Sequence, residues 1–433
     1  MSETIYALSS GAVPSGVAIV RLSGPQALEI GSALAGQLPA SGRSALRNLI
    51  NPDGDELIDQ ALVLAFKGPN SFTGEDVVEF HCHGSKPVLS ALFDVLDGFD
   101  GCRQADAGEF SRRAFENGKF DLTEVEGLSD LIGAETEAQR KLALRQAGGE
   151  LRALYENWRS DLLRCRALIE AELDFADEDD VPGSVSDQVW KQIFELDEKF
   201  KAHLDDSRGG EIIRDGLRVV LTGPPNAGKS SLLNALAQRD VAIVTPIAGT
   251  TRDIIDVALD LDGYKVTVTD TAGLRSSDDL VELEGIKRAE AAARSADVVY
   301  WLQPLGEEVD PARPENSRLV WTKSDLAGDA FVKDSLTIST LADDGLQGFM
   351  ADLRDKLSGL QTASEAPLMT RRRHRQALMA ARENLKQSLE ANQDLEIRSE
   401  HLRRAGDELG KIVGRIDVED LLDVIFSEFC IGK

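Results

Sequence analysis

Cysteine is scarce in this chain: four in 433 residues, Cys82, Cys102, Cys165 and Cys430, widely separated and forming no C-x-x-C pair. That spacing indicates neither a disulfide framework nor a zinc knuckle. No apolar run is long enough to span a bilayer. The opening Met1-Ser-Glu-Thr-Ile-Tyr6 lacks the basic-then-apolar pattern of a secretion signal, so a cytoplasmic location is expected. Positive charge is also short, with 48 Lys and Arg against 75 Asp and Glu and a net charge of −27. Such a balance opposes indiscriminate binding to nucleic acid, so any RNA contact must use a local basic patch or a partner protein. There is no internal repeat and no low-complexity tract. What is present is a hydrophobic content of 42%, which is globular, on a length sufficient for two to four domains.

Residues 1–117 read as an α+β domain. Val17–Leu22 and Ala61–Phe66 are short apolar strands, and Asp76–His83 alternates, with Val77, Glu79, His81 and His83 on one face. Lys86–Leu96 reads as a helix. Long helices follow, Leu122–Ala147, Leu151–Phe175 and Asp187 to about Arg208, with apolar residues at three- and four-residue spacing. The acidic run Asp174–Asp180 reads as a solvated connection, and Gly209-Gly210 as a break. Residues 211–366 alternate strands and helices, the pattern of an α/β domain with a mostly parallel sheet. Residues 367–433 return to helix. The expected architecture is therefore α/β and α+β multidomain: domain 1–117, a discontinuous α-helical domain made of 118–210 and 367–433, and an α/β domain, 211–366, inserted into it.

The chemistry concentrates in Gly223-Pro-Pro-Asn-Ala-Gly-Lys-Ser230. An apolar strand, Leu217–Leu221, precedes it and a helix, Ser231–Ala237, follows. Strand, glycine loop and helix in that order make the phosphate-binding P-loop, G-x-x-x-x-G-K-[ST]. Gly223 and Gly228 let backbone N–H groups of Asn226, Ala227, Gly228, Lys229, Ser230 and Ser231 turn toward phosphate oxygens at a helix N-terminus. Lys229 supplies a point charge to the β- and γ-phosphates, and the Ser230 hydroxyl is placed for Mg²⁺.

Downstream residues select guanine. Asp270-Thr271-Ala272-Gly273 follows a strand at Lys265–Thr269, supplying an acidic group near Mg²⁺ and a backbone N–H for the γ-phosphate. Gly249-Thr-Thr-Arg-Asp253 lies in a loop that can close over nucleotide, with Thr251 as second Mg²⁺ ligand. Thr322-Lys323-Ser-Asp325 follows the strand Arg318–Trp321 and resembles the guanine-reading Asn-Lys-x-Asp motif, with Thr322 in place of Asn. Guanine reading is expected to survive through Asp325, with Ser339-Thr340 at the base edge. Leu274 stands where many GTPases place a water-orienting Gln, so another polar residue must do that work, and Glu282 is the candidate.

In these motifs the chain resembles the MnmE/TrmE family of tRNA-modification GTPases over nearly its whole length. The most specific stretches are Phe72–Gly84, Gly108–Leu122, the GTPase motifs, and the ending Glu419–Lys433 with its terminal Cys-Ile-Gly-Lys. The ending also looks like a prenylation box, but Gly432 and Lys433 fit poorly. The resemblance implies a folate-binding N-terminal domain that dimerises, a central helical domain and an inserted G domain. It implies K⁺ in place of an arginine finger, held by Asn226, Thr245, Ile247 and Thr250 within a nucleotide loop that includes Pro246, Ala248 and Gly249, and it places Glu282 as the water-orienting residue. It also implies a site for 5-formyltetrahydrofolate or a related folate at Arg21, Glu79, Lys119 and Lys433, residues that singly read as surface ion pairs. His81 and His83, without further ligands, read as structural. Cys430 is either a catalytic thiol or a small buried apolar group. Arg371-Arg-Arg-His-Arg375 serves either RNA or partner contact or a hinge beside the α/β domain.

The implied function is K⁺-stimulated GTP hydrolysis. With an FAD-dependent MnmG/GidA partner in a heterotetramer, it would add an aminomethyl-type (carboxymethylaminomethyl) group to C5 of the wobble uridine of certain tRNAs. The alternative is a regulatory GTPase switch in ribosome or RNP assembly, since Era-like and Der-like GTPases share the G-domain motifs. Arg21, Glu79, Lys119 and the Cys-Ile-Gly-Lys ending separate the two, because a bare switch does not need them.

Overall fold

The computed structural model describes residues 3–174, 185–239, 241–243, 256–270, 296–326, 335–342, 344–361, 369–416, 419–427, 429 and 432. The chain divides into two compact units, one made of residues 1–129 and 409–433 and the other of residues 130–408.

The first unit is built on a mixed six-stranded sheet, β1 (Thr4–Leu8), β2 (Ser15–Ser23), β3 (Ser44–Ile50), β4 (Leu57–Phe66), β5 (Val77–Gly84) and β6 (Cys102–Gln104), in the order β3-β4-β5-β2-β1-β6. Among the described residues of this sheet, only β1 and β6 pair in parallel. The period-2 alternation seen in the sequence is realised: Val20, Leu22, Val63, Phe80 and Cys82 are buried, facing helices α1 (Ala27–Ala35) and α2 (Lys86–Asp97) through Ile30, Leu34 and Leu92. The opposite face meets α3 (Glu109–Glu116), where Ile5, Ala7 and Phe110 form a smaller core.

The expected helix Leu122–Ala147 is two helices, α4 (Leu122–Ile132) and α5 (Glu137–Ala147). A capping box starts the second: the Thr136 side chain accepts from Gln139 N, and Gln139 Oε1 accepts from Thr136 N at 3.1 Å. The chain end packs on this part of the first unit. Leu122 and Val125 of α4 share a core with Leu422, Ile425 and Phe426 of the C-terminal helix Glu419–Ser427 and with Phe429. Arg112 donates to Asp423 at 2.8 Å, and a Cβ at Gly108 would collide with the Phe426 carbonyl. Residues 409–433 thus cluster with residues 1–129, through α3 and α4.

In the second unit, α6 (Glu150–Asp174) and α7 (Val185–Asp215) pack together and against the helix Arg372–Ser388. Tyr155, Trp158 and Phe200 interlock with His203 and His374. The break expected at Gly209-Gly210 does not occur. The helix runs through the pair to Asp215 because His203 upstream and Ile213 downstream are both buried, and it ends before Gly216, at φ +89°. A second sheet follows immediately: β7 (Leu217–Thr222), β8 (Asp256–Leu261), β9 (Tyr264–Asp270), β10 (Val298–Pro304), β11 (Arg318–Thr322) and β12 (Leu336–Thr337), in the order β12-β11-β10-β7-β9-β8. Among these described strands every pairing is parallel except β8 with β9. Val219, Leu221, Val268 and Leu302 fill its core against α8 (Lys229–Ala237) and the helix Gln347–Gln361. This is the mostly parallel α/β domain expected from the strand–helix alternation. Among the described residues, no helix is long and apolar enough to cross a membrane.

Candidate functional site

The end of β7 opens into the glycine loop, and α8 begins at Lys229. Gly223, at φ +140°, lies so close to β10 that a Cβ would collide with the Leu302 carbonyl. Gly228 caps α8 in the left-handed region at φ +92°. Asn226 also has positive φ, +61°, a conformation that asparagine tolerates better than most side chains. Together they shape a cavity of about 490 Å³ lined by Gly223, Asn226, Gly228, Lys229, Ser231 and Lys323, among others. Lys229 is buried, and its Nζ donates to the carbonyls of Gly223 (2.9 Å) and Pro224 (2.8 Å), which hold the ammonium against the loop. Ser230 Oγ donates to Asp270 Oδ2 at 2.7 Å, so the two groups singled out for Mg²⁺ meet at the ends of α8 and β9. An oxygen-only donor set of this kind suits a hard divalent cation.

The residues expected to read the base sit beside this loop. Thr322, buried at the end of β11, donates through Oγ1 to the Ala227 carbonyl at 2.8 Å. The threonine that departs from the usual Asn thereby ties the segment after β11 to the P-loop. Lys323 follows at φ +58°. Ser339 Oγ donates to Asp325 Oδ1 at 2.6 Å and fixes that carboxylate. Gly345 closes over Ser339, its N–H···O partner, so tightly that a Cβ would strike the Ser339 carbonyl. Sequence reasoning passed over Gly345, whose signal was a glycine after an acidic pair. Thr245, Pro246, Ile247, Ala248, Gly249, Thr250, Thr251, Thr271, Ala272, Gly273, Leu274 and Glu282 lie outside the described residues.

In the first unit Arg21 and Glu79 are cross-strand partners on β2 and β5, paired at 2.8 Å. The Arg21 guanidinium lies over the rings of Phe72 (5.3 Å) and Phe110 (5.7 Å). Lys119 Nζ donates to the Pro69 carbonyl at 2.8 Å, and the next residue, Phe120, stacks on Phe72 at 5.5 Å. Phe72 therefore links Arg21 to the Lys119 segment, a role not assigned from sequence although the residue opens the most specific motif. Its loop is fastened from beneath: Arg113 Nη1 donates to Glu75 at 3.2 Å, and Ser23 Oγ donates to Glu75 at 2.7 Å. Lys433 and Cys430 lie outside the described residues, but Gly432, at φ +94°, abuts the Leu8 carbonyl of β1.

The two histidines have carboxylate partners. His81 Nε2 is 3.2 Å from Glu79, and His83 Nδ1 is 2.8 Å from Asp59. Burial pushes the Cys82 and Cys102 thiols up to about 11, which keeps them protonated and unreactive at neutral pH. In the arginine cluster, Arg371 pairs with Asp130 (2.8 Å) and Arg375 with Glu211 (3.8 Å).

Comparison with known proteins places these features. The family model of the MnmE helical domain matches residues 122–430, and that of the GTP-binding protein TrmE N-terminus matches residues 4–119. The tRNA modification GTPase MnmE of Rhizobium etli (strain CIAT 652) is 52% identical over 441 residues, covering 100% of this chain and 99% of the relative. The tRNA modification GTPase MnmE of Rhizobium meliloti (strain 1021) is 50% identical with the same coverage. With both family models matched and full-length identity of this order, the chain belongs to the MnmE/TrmE family of tRNA modification GTPases.

Proposed function

We propose that the protein hydrolyses GTP in the course of tRNA modification, and that the hydrolysis is K⁺-stimulated. The observation that carries the GTP reading is the convergence of Lys229, the Ser230–Asp270 pair and the Thr322–Ala227 and Ser339–Asp325 bonds at one edge of the parallel sheet. Loop amides and Lys229 bind and orient the triphosphate, and Asp325, held by Ser339, accepts the guanine N–H groups. Ser230 and Asp270, with Thr251, are the residues to hold Mg²⁺, which when bound neutralises charge on the β- and γ-phosphates. Asn226, Thr245, Ile247 and Thr250 are the residues to hold K⁺, and Glu282 is the residue to orient the attacking water in place of Leu274.

In the same proposal the first unit binds a folate at Arg21, Glu79, Lys119 and Lys433. The guanidinium stacked on Phe72 offers a charged, flat surface for a heteroaromatic ring and a carboxylate. Because Glu79 already accepts from Arg21, ligand hydrogen bonds there compete with this ion pair. Homodimerisation through this unit is supported by its outer sheet face, where Leu46 and Leu62 stand opposite one another, 58% and 39% exposed, next to His81 and Ile19. The folate supplies a one-carbon unit, and an FAD-dependent partner completes the modification of the wobble uridine.

The deciding experiment is GTP hydrolysis in K⁺ against Na⁺. Turnover should be much higher in K⁺, with ATP a poor substrate, and Asn226→Ala should erase the difference between the salts. Equal rates in both salts would remove K⁺ from the reading while leaving GTP hydrolysis in place.

A further inference from the structure

The hairpin of β8 and β9 joins two places that no motif connects. Its turn, Asp262-Gly263, has both residues at positive φ, +54° and +86°, the tight turn that matches strand twist. The turn is docked on the start of α5. The Gly263 carbonyl accepts from Ala138 N at 3.0 Å, one of the first-turn amides that a helix cannot satisfy internally. Lys265 pairs with Glu135 at 2.5 Å, and Tyr264 packs on Ala138, Leu142 and Ile213. Gln139 of α5 donates to the Arg214 carbonyl at 2.7 Å, so the end of α7 is part of the same junction. At the far end of β9, Asp270 accepts from Ser230 of the P-loop helix. Between Tyr264 and Asp270 the strand spans roughly 20 Å. It cannot bow freely, because β7 pairs with it from Val266 to Asp270 and β8 pairs with it from Tyr264 to Thr269.

We propose that this hairpin is the coupling element between the nucleotide site and the helical region, acting as a strut whose one end senses occupancy at Ser230–Asp270 and whose other end caps α5. The argument is geometric. A group that must exchange its hydrogen-bond partner when Mg²⁺ and phosphate arrive sits on the same rigid strand as the residues that close the α5 N-terminus. Any difference in Asp270 placement between nucleotide states is therefore carried to the Gly263–Ala138 bond and the Lys265–Glu135 pair. Linkage requires the converse as well: loosening the dock must change the relative affinity for the two nucleotides by the same factor. Tyr264, Lys265 and Glu135 are then coupling residues, not catalytic ones.

This inference rests on the GTP reading of the site, and its test scores that reading separately. Hydrogen exchange over residues 135–147 is measured in the full chain with GDP and with a non-hydrolysable GTP analogue plus Mg²⁺, alongside the affinity for each nucleotide. In the unmodified chain, exchange at the start of α5 should differ between the two states. In Tyr264→Ala and in Glu135→Gln the difference should collapse, and the GDP-to-analogue affinity ratio should shift by roughly fivefold or more. Glu135→Gln alters no residue of the sheet, so it guards against a variant that simply fails to fold. Identical exchange in both nucleotide states, or a difference that persists in both variants, overturns the coupling. Failure of the unmodified chain to bind either nucleotide overturns the GTP reading and the coupling with it.

Discussion

At the scale of single residues, the nucleotide site depends on side chains that hold other side chains. Ser339 is the clearest, since its hydroxyl fixes the Asp325 carboxylate at 2.6 Å. A hydrogen bond to a charged group is worth about 1.5–3 kcal/mol. Ser339→Ala should therefore weaken guanine nucleotide binding by roughly tenfold or more while leaving the phosphate cradle intact, as titration with GDP would show. A second residue makes stability depend on pH. Burial lowers the pKa of His203 to about 4, despite the opposing field of Asp206, and its Nε2 lies 3.0 Å from the Tyr155 hydroxyl. The unfolded chain, with an ordinary histidine near 6.5, binds the proton first. Stability is thus fully present above about pH 6.5 and declines as pH falls toward 4, by up to about 3 kcal/mol from this one group. Urea unfolding between those limits should show a shallower decline in His203→Gln, which keeps a partner for Tyr155 but does not titrate in this range.

At the scale of elements, most strands were legible because alternation and glycine punctuation act locally. β2, β4, β5, β7, β9 and β11 lie where apolar pattern placed them, within a residue or two at most ends, although β4 starts four residues early. The helices were less legible, for two distinct reasons. Thr136 and Gln139 carried a capping signal inside an unbroken apolar rhythm, and the rhythm hid it. Gly209-Gly210 carried a stop signal, but packing on both sides overrides an intrinsic cost of about 1 kcal/mol per glycine. The continuity of α7 is directly testable. Gly209→Pro should cost roughly 3 kcal/mol and lower the far-ultraviolet helical signal, because it falls in a helix interior. A near-neutral change would mean that the helix breaks there after all.

At the scale of the whole molecule, the sequence pattern of the C-terminal segment revealed an apolar face but not the surface it covers. Leu422, Ile425 and Phe426 have helix spacing that suits a helical bundle equally well, and only the three-dimensional core shared with Leu122 and Val125 shows where they go. The proposed ligand site inherits this arrangement, because Gly432 seats the chain end against Leu8 and Ser9. Alanine there meets both the carbonyl and an unfavourable positive φ worth about 1–2 kcal/mol. Gly432→Ala should lower the affinity for 5-formyltetrahydrofolate by about tenfold in calorimetry while GTP turnover, which belongs to the other unit, stays unchanged. Undiminished folate affinity would separate the tail from that site.

The first unit is also assembled from stretches that leave the ribosome at very different times. Residues 130–408 are made between its two pieces. At a synthesis rate of about 5–20 residues per second, that interval lasts roughly 15–55 seconds. For all of it, the faces of Leu122, Val125 and Phe115 wait without Leu422 and Phe426, while the nucleotide domain has time to fold in full. The growing chain thus carries an apolar seam that only its last segment can close, and a polypeptide released early keeps that seam open as a recognition mark for chaperones and proteases.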